Sequence, residues 1–181
     1  MTQLSIYSET DPQHPSLVTK DVATIASHLR QAGIDFERWQ ADQPLADHAD
    51  NDSILAAYDS QIKRLVAERG FQSYDVVSMN SDHPQKHDLR QKFLDEHTHS
   101  EDEVRFFVRG QGLFCIHIEA QVFSLLCEKN DLVSVPAHTR HWFDMGQNPA
   151  FTAIRLFNNP DGWIAKFTGD KIAKNFPLLE N

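Results

Sequence analysis

Thiols are scarce in this chain. Its 181 residues include two cysteines, Cys115 and Cys127, and no CxxC pair. That argues against a thiolate metal site or a dithiol redox motif. Each cysteine lies in an apolar, strand-like run, so two buried free thiols are the simplest expectation. No apolar stretch approaches the ~20 residues of a membrane helix, and no basic-then-apolar leader is visible, so a soluble, cytoplasmic protein is expected. Positive charge is also short: 17 Lys and Arg stand against 26 Asp and Glu, for a net charge of −9. That balance argues against a general nucleic-acid or anionic-membrane surface. It leaves room for a small anionic substrate, because a metal and one arginine reverse the field locally. There is no internal repeat or linker, and 40% hydrophobic with 24% charged residues fits one globular domain over residues 1–181.

The pattern changes character along the chain. In the front region, residues 1–94, alternating Leu4 and Ile6 predict a short edge strand. Val22, Ile25, Ala26 and Leu29 recur at helical spacing up to Gly33. Residues 35–39 form a short strand or turn, and a polar loop runs on to Asp52, with Asp50 or Asp52 able to cap the next helix. Ile54, Leu55, Tyr58, Ile62, Leu65 and Val66 mark one face of a single helix over 53–69, stopped at Gly70. A strand at 74–79 and a helix at 84–94 follow. Beyond Asp95 come short apolar runs at 104–108, 113–118, 122–128, 132–135, 141–145 and 152–157, separated by polar or glycine-rich connections. Such a series predicts a mainly β fold with flanking helices, a jelly-roll or antiparallel barrel with its core over 95–160. The tail, 161–181, carries Trp163, Ile164, Phe167 and Phe176 and is expected to dock.

The chemistry concentrates in two places. His97 and His99 are two apart, so in an extended chain both imidazoles leave on one face. A third histidine, His141, follows an apolar strand and Pro136 and precedes Trp142 and Phe143. A titratable ring in such surroundings needs a partner. Three acids compete as an oxygen ligand: Glu101, Asp102 and Glu103. An unbroken strand would carry Glu103 about 20 Å from His97, so the site requires a bend at residues 100–102, after which Glu103 opens the next strand. Spacing favours Glu103 over the other two. Neutral imidazole and carboxylate suit iron, nickel, manganese or zinc. The plainer alternative is a set of ordinarily hydrogen-bonded histidines.

Other residues carry weaker signals. Arg105 shares strand parity with Glu103, so it either faces an anion in the cleft or forms an internal salt bridge. Arg109 continues that parity towards Gly110 and solvent. His83 and His87, four apart on a helix, are a rival metal pair without a convincing carboxylate. His117 alternates with Cys115 inside a strand. His138, three residues before His141, is the nearest competitor for the third ligand position.

The order H-x-H-x3-E, then Gly110, then a proline turn before His141 resembles the two motifs of the cupin superfamily. The segments HTHSEDEVRFFVRGQGLFCIHI (97–118), CEKNDLVSVPAHTRHWFDMG (127–146) and FTAIRLFNNPDGWIAKFTGD (151–170) resemble, more narrowly, the bacterial acireductone dioxygenase family of methionine salvage. The resemblance implies a cupin-type barrel with one Fe2+ or Ni2+ per chain, held by His97, His99, Glu103 and His141. It implies roles for Glu96 and Asp102 in metal loading or conformational relay, and for Arg105 in forming and stabilising a substrate dianion. Phe93, Phe143 and Trp163 are similar to pocket aromatics of that family. The implied reactants are O2 and 1,2-dihydroxy-3-keto-5-methylthiopentene, with products that depend on the metal, and the implied state is a monomer.

Overall fold

The computed structural model describes residues 1–46 and 49–180; Asp47 and His48, within the predicted polar loop, and Asn181, at the end of the tail, lie outside the described residues. In chain order the elements are β1 (Gln3–Ser8), β2 (Leu17–Thr19), α1 (Val22–Gln31), β3 (Asp35–Arg38), α2 (Asn51–Ala57), α3 (Asp59–Arg69), β4 (Ser73–Met79) and α4 (Lys86–Leu94). There follow β5 (His97–Thr98), β6 (Glu103–Ile118), β7 (Gln121–Glu128), β8 (Asp131–Val135), β9 (Arg140–Asp144), β10 (Phe151–Phe157), β11 (Lys166–Phe167) and a short 3-10 turn over Ile172–Asn175.

The organising element is β6, sixteen residues long. Its second half lies in a sheet of order β11-β5-β9-β6-β7-β1-β2. Its first half lies between β10 and β8 in a second sheet that β4 and β3 extend. These neighbouring strands pair antiparallel, and the two sheets face each other in a jelly-roll arrangement. The sequence predicts two strands here, 104–108 and 113–118, with a connection at 110–112. The structure replaces the connection by a bulge: Thr152 of β10 pairs with Arg109, but Ala153 pairs with Phe107, so Val108 is the extra residue. One inserted residue turns every later side chain to the opposite face. Phe107 therefore packs inside the barrel, and so do Phe114 and Ile116, despite their opposite parity. Arg109 is turned outward by the same step and donates to the carbonyls of Leu45 and Ala46, not to the cleft or to open solvent.

Gly110 and Gly112 make the crossing between sheets possible. Gly110 has φ +66°, and a Cβ there would overlap the Ala150 carbonyl oxygen; one at Gly112 would overlap the Phe143 ring. Gly110→Ala is expected to cost roughly 2–4 kcal/mol, combining a left-handed backbone with a clash against main chain. Chemical denaturation of the purified variant checks this.

Three apolar layers follow from the strand alternation. The barrel interior holds Leu4, Phe107, Phe114, Phe143 and Phe151. Ile54 of α2, Tyr58 at the junction, and Ile62 and Leu65 of α3 cover the outer face of the second sheet against Val104, Phe106 and Ile154. Ala173 and Phe176 of the tail cover Cys115 and Trp142 on the first sheet. Both cysteines are free and buried, and no described helix is long and apolar enough to cross a membrane.

Three local expectations change. The helix predicted over 53–69 is two helices, because Tyr58 leaves helical geometry at φ −109°, ψ 19°. Its ring is fully buried edge-on against Phe106, 5.6 Å between centroids, which fixes the break. β1 is not an edge strand: β2 covers one side and β7 the other. The tail docks through Ala173, Phe176 and Leu179, while Trp163, Ile164 and Phe167 remain about half exposed. Asp50 is the cap of α2, accepting from the Ser53 amide at 2.8 Å.

Candidate metal centre

Register brings the three histidines together. His97 in β5 pairs directly with His141 in β9, which also pairs with Ile116 of β6. His99 lies just beyond β5. The nearest ligand nitrogens of His97, His99 and His141 all fall within 4.8 Å of one another, and all three residues are buried. Each ring is held from behind. Nδ1 of His97 lies 2.8 Å from the Asp95 carbonyl, that of His99 3.2 Å from Ile164 and that of His141 2.8 Å from Thr139. A carbonyl only accepts, so Nδ1 carries the proton and the Nε2 lone pair is free for a metal. The three histidines form a metal-binding site.

The chain bends at Ser100 and Glu101, and Glu103 opens β6. Glu103 Oε2 lies 3.3 Å from His99 Nε2 and 3.5 Å from His141 Nε2. Its Oε1 accepts from Arg105 Nη2 at 2.7 Å. Oε2 and His141 Nε2 are both buried without a hydrogen-bond partner among the described residues. A carboxylate oxygen facing imidazole lone pairs repels them unless a cation lies between, and three nitrogens with one oxygen suit a borderline divalent ion. The donor set therefore fits a metal. Burial, the largest single influence, pushes the Glu103 carboxyl up, but the Arg105 guanidinium together with the His141 and His99 rings outweighs it and holds the group well below the usual carboxylate range.

Burial, reinforced by the neighbouring His141, pushes His97 down to about 3, so the ring is neutral and ready to ligate at ordinary pH. The unfolded chain takes up this proton near pH 6.5 and the folded one only near 3. Between these values the unfolded state binds more protons, so stability falls as the pH is lowered through the window. Metal-free protein is expected to lose melting temperature steadily from pH 6.5 towards pH 4. Bound metal delays the loss until protons displace it. Melting scans with and without chelator, across that range, test both statements.

The remaining candidates fall into place around this centre. Asp102 does not face the histidines; its carboxylate accepts from the Ala137 amide at 2.8 Å and ties the bend to the turn before His141. His138 is exposed, with φ +63°, and its amide donates to the His99 carbonyl. His83 and His87 join no metal-ligating group among the described residues. Glu96 is buried behind His97, accepting from His117 Nδ1 at 2.7 Å and from the Thr168 hydroxyl at 2.9 Å. His117 also reaches Glu9 at 3.1 Å, so it is a satisfied interior histidine that clamps β1 and β6 to the metal loop.

A cavity of about 210 Å³ opens on the centre, lined by His97, His99, Arg105, Phe93, Phe143 and Trp163, together with Lys92, Arg155, Ala165 and Phe167. Phe93 meets Phe143 edge-on at 6.2 Å. The Arg105 guanidinium lies over Phe114 and Phe143, 4.8 Å from each ring. Larger open clefts of about 550 and 580 Å³ exist, but they hold no converging metal ligands among the described residues. The sequence reading missed Lys92 and Arg155. Arg155 could have been found by the argument used for Arg105, since it is the one charged residue in the apolar run 151–157.

Known proteins share this architecture. The chain is 59% identical over 181 residues, all of both proteins, to "Acireductone dioxygenase" of Pseudomonas aeruginosa (strain UCBPP-PA14). It is 57% identical over 180 residues to the protein of the same name from Serratia proteamaculans (strain 568), covering 99% of this chain and 100% of that one. A solved structure, "Acireductone dioxygenase from Bacillus anthracis with cadmium ion in active center", superposes with a TM-score of 0.79 at 30% identity, over 92% of this chain and 98% of that one. That match identifies the two-sheet barrel with its flanking helices as a cupin jelly roll. The profile of the ARD/ARD' family spans residues 3–165, and the chain belongs to that family.

Proposed function

We propose that this protein is a metal-dependent dioxygenase that cleaves acireductone, 1,2-dihydroxy-3-keto-5-methylthiopentene, with O2 in methionine salvage. The observation that carries the reading is the buried, unpartnered Glu103 Oε2 and His141 Nε2, converging with His99, which lines a cavity that also presents His97 and Arg105. His97, His99, His141 and Glu103 would hold one Fe2+ or Ni2+ per chain. Such an ion would supply Lewis acidity that favours an enediolate over the neutral enediol. Arg105, fixed by Glu103 and by two aromatic faces, stabilises the negative oxygens of that enediolate. Phe93, Phe143 and Trp163 provide apolar surface for the methylthio tail and exclude water from the head group. Glu96 and Asp102 act at a distance: they fix the segments on either side of the bend and so govern loading and relay local changes.

In this proposal the Fe2+ form gives 2-keto-4-methylthiobutanoate and formate, and the Ni2+ form gives 3-methylthiopropanoate, formate and carbon monoxide. The protein works as a monomer in the cytoplasm. The test is metal analysis of protein purified without added metal, followed by O2 uptake and product identification after Fe2+ or Ni2+ reconstitution. Stoichiometric metal without O2 uptake on acireductone would turn the reading towards a different cupin enzyme or a non-catalytic metal-binding cupin.

A further inference from the structure

The cavity contains a second guanidinium. Arg155 of β10 is the direct cross-strand partner of Arg105 in β6, and both line the cavity with His97 and His99. Like charges placed opposite one another across a ladder repel. The chain relieves each arginine by a different route. Arg105 gives Nη2 to Glu103. Arg155 forms a two-bonded fork with Asp75 of β4, Nε to Oδ1 at 2.9 Å and Nη2 to Oδ2 at 2.6 Å. Asp75 is 46% exposed and Arg155 only 15%, so the carboxylate stays at the surface while the guanidinium reaches inward. The fork occupies one edge of the planar group and fixes its orientation. Nη1 donates no hydrogen bond among the described residues. Lys92, also at this cavity, is exposed on α4 and contributes attraction without a fixed geometry.

The acireductone head carries three oxygens on consecutive carbons, so a second oriented donor beside Arg105 has an oxygen to serve. We propose that Arg155 is a substrate-binding residue: oriented by Asp75, it donates from Nη1 to an oxygen of the head group and fixes how the head group lies relative to Arg105. This inference rests on the acireductone reading, and its test keeps the two apart.

The experiment compares the wild type with Arg155→Gln, Arg155→Lys and Asp75→Asn, all reconstituted with the same metal. Metal content, melting temperature, steady-state kinetics and anaerobic substrate affinity by tryptophan fluorescence are measured for each. Arg155→Gln is expected to raise KM and the anaerobic Kd by about ten- to a hundred-fold, the size of one charge-assisted hydrogen bond. Metal content stays at the wild-type level and kcat falls much less than KM rises. Lysine keeps the charge but not the fork and recovers part of the affinity. Asp75→Asn leaves the cation but loosens it, and raises KM by a smaller factor. An Arg155→Gln enzyme with unchanged KM and Kd overturns the inference, as does one that loses metal and kcat together. If that variant does not fold, Asp75→Asn decides in the same way: unchanged KM overturns the inference, and raised KM at full metal content supports it. A wild type that takes up no O2 with acireductone removes the proposed function and this inference with it. A normal wild type beside an indifferent Arg155→Gln removes Arg155 alone.

Discussion

His99→Ala is expected to purify without metal and to show no measurable O2 uptake on acireductone. His99 contributes one of three converging nitrogens, and its Nε2 also lies 3.3 Å from Glu103 Oε2. Altering groups that merely orient a ligand weakens metal binding about 10- to 100-fold; deleting a ligand should cost more than about 100-fold on that scale. Full occupancy cannot be regained by adding metal, because His97 and His141 alone with one carboxylate leave too open a site. His138→Ala provides the contrast. His138 is exposed, and its contact with the site runs through its backbone amide, which alanine retains. That variant should hold one equivalent of metal and turn over within about three-fold of wild type, as expected for truncating an exposed side chain. Metal analysis and an oxygen electrode distinguish the two. A His99→Ala protein with a full equivalent of metal would remove His99 from the ligand set.

The contrast between His99 and His138 shows what the sequence could disclose. Strand parity places His97 and His99 on one face, and the apolar neighbours of His141 mark it as a buried polar group. Both signals are local, so they survive without a structure. The bend at Ser100 and Glu101 is also local: geometry demands it if Glu103 is to reach the histidines, and the small polar residues allow it. The supports of the rings are different in kind. The carbonyl behind His99 belongs to Ile164, 65 residues away, and a main-chain oxygen leaves no mark in composition.

The β6 bulge is the other hidden feature. Gly110-Gln111-Gly112 is turn-like chemistry, yet it serves a strand that changes sheets. What decides is long-range: Phe107 and Ala153 must pair while Val108 is squeezed out, and Ala150 and Phe143 leave room only for glycines. Periodicity read through the bulge sends Arg109 to the same face as Arg105. Arg155 is half legible: a lone charge in the apolar run 151–157 marks it as a buried cation, but not its neighbour. Its importance comes from lying opposite Arg105, and cross-strand register is not written in either strand alone.

Arg105→Ala is expected to separate two functions of one side chain. Arg105 is 8% exposed and neutralises a carboxylate that is itself buried. Without metal, its removal leaves Glu103 charged and unpaired, a loss of roughly 3–5 kcal/mol for a broken buried pair. Contacts with Phe114 and Phe143 go with it. With metal bound, the ion compensates Glu103 Oε2, so the variant should regain much of that stability. The gap in melting temperature between metal-free and metal-loaded protein is therefore expected to be wider for the variant than for the wild type. Activity follows a separate course. If Arg105 stabilises the enediolate as that charge develops, kcat falls about 100- to 1000-fold, the usual cost of one well-placed donor to an oxyanion, while the metal stays in place. Arg105→Lys retains a charge but cannot hold Glu103 and lie over two rings together, so it should recover stability more fully than turnover. Calorimetry on both forms, beside single-turnover kinetics, resolves the two effects. Normal turnover by the alanine variant would reduce Arg105 to a structural counter-ion and leave the enediolate to the metal and Arg155.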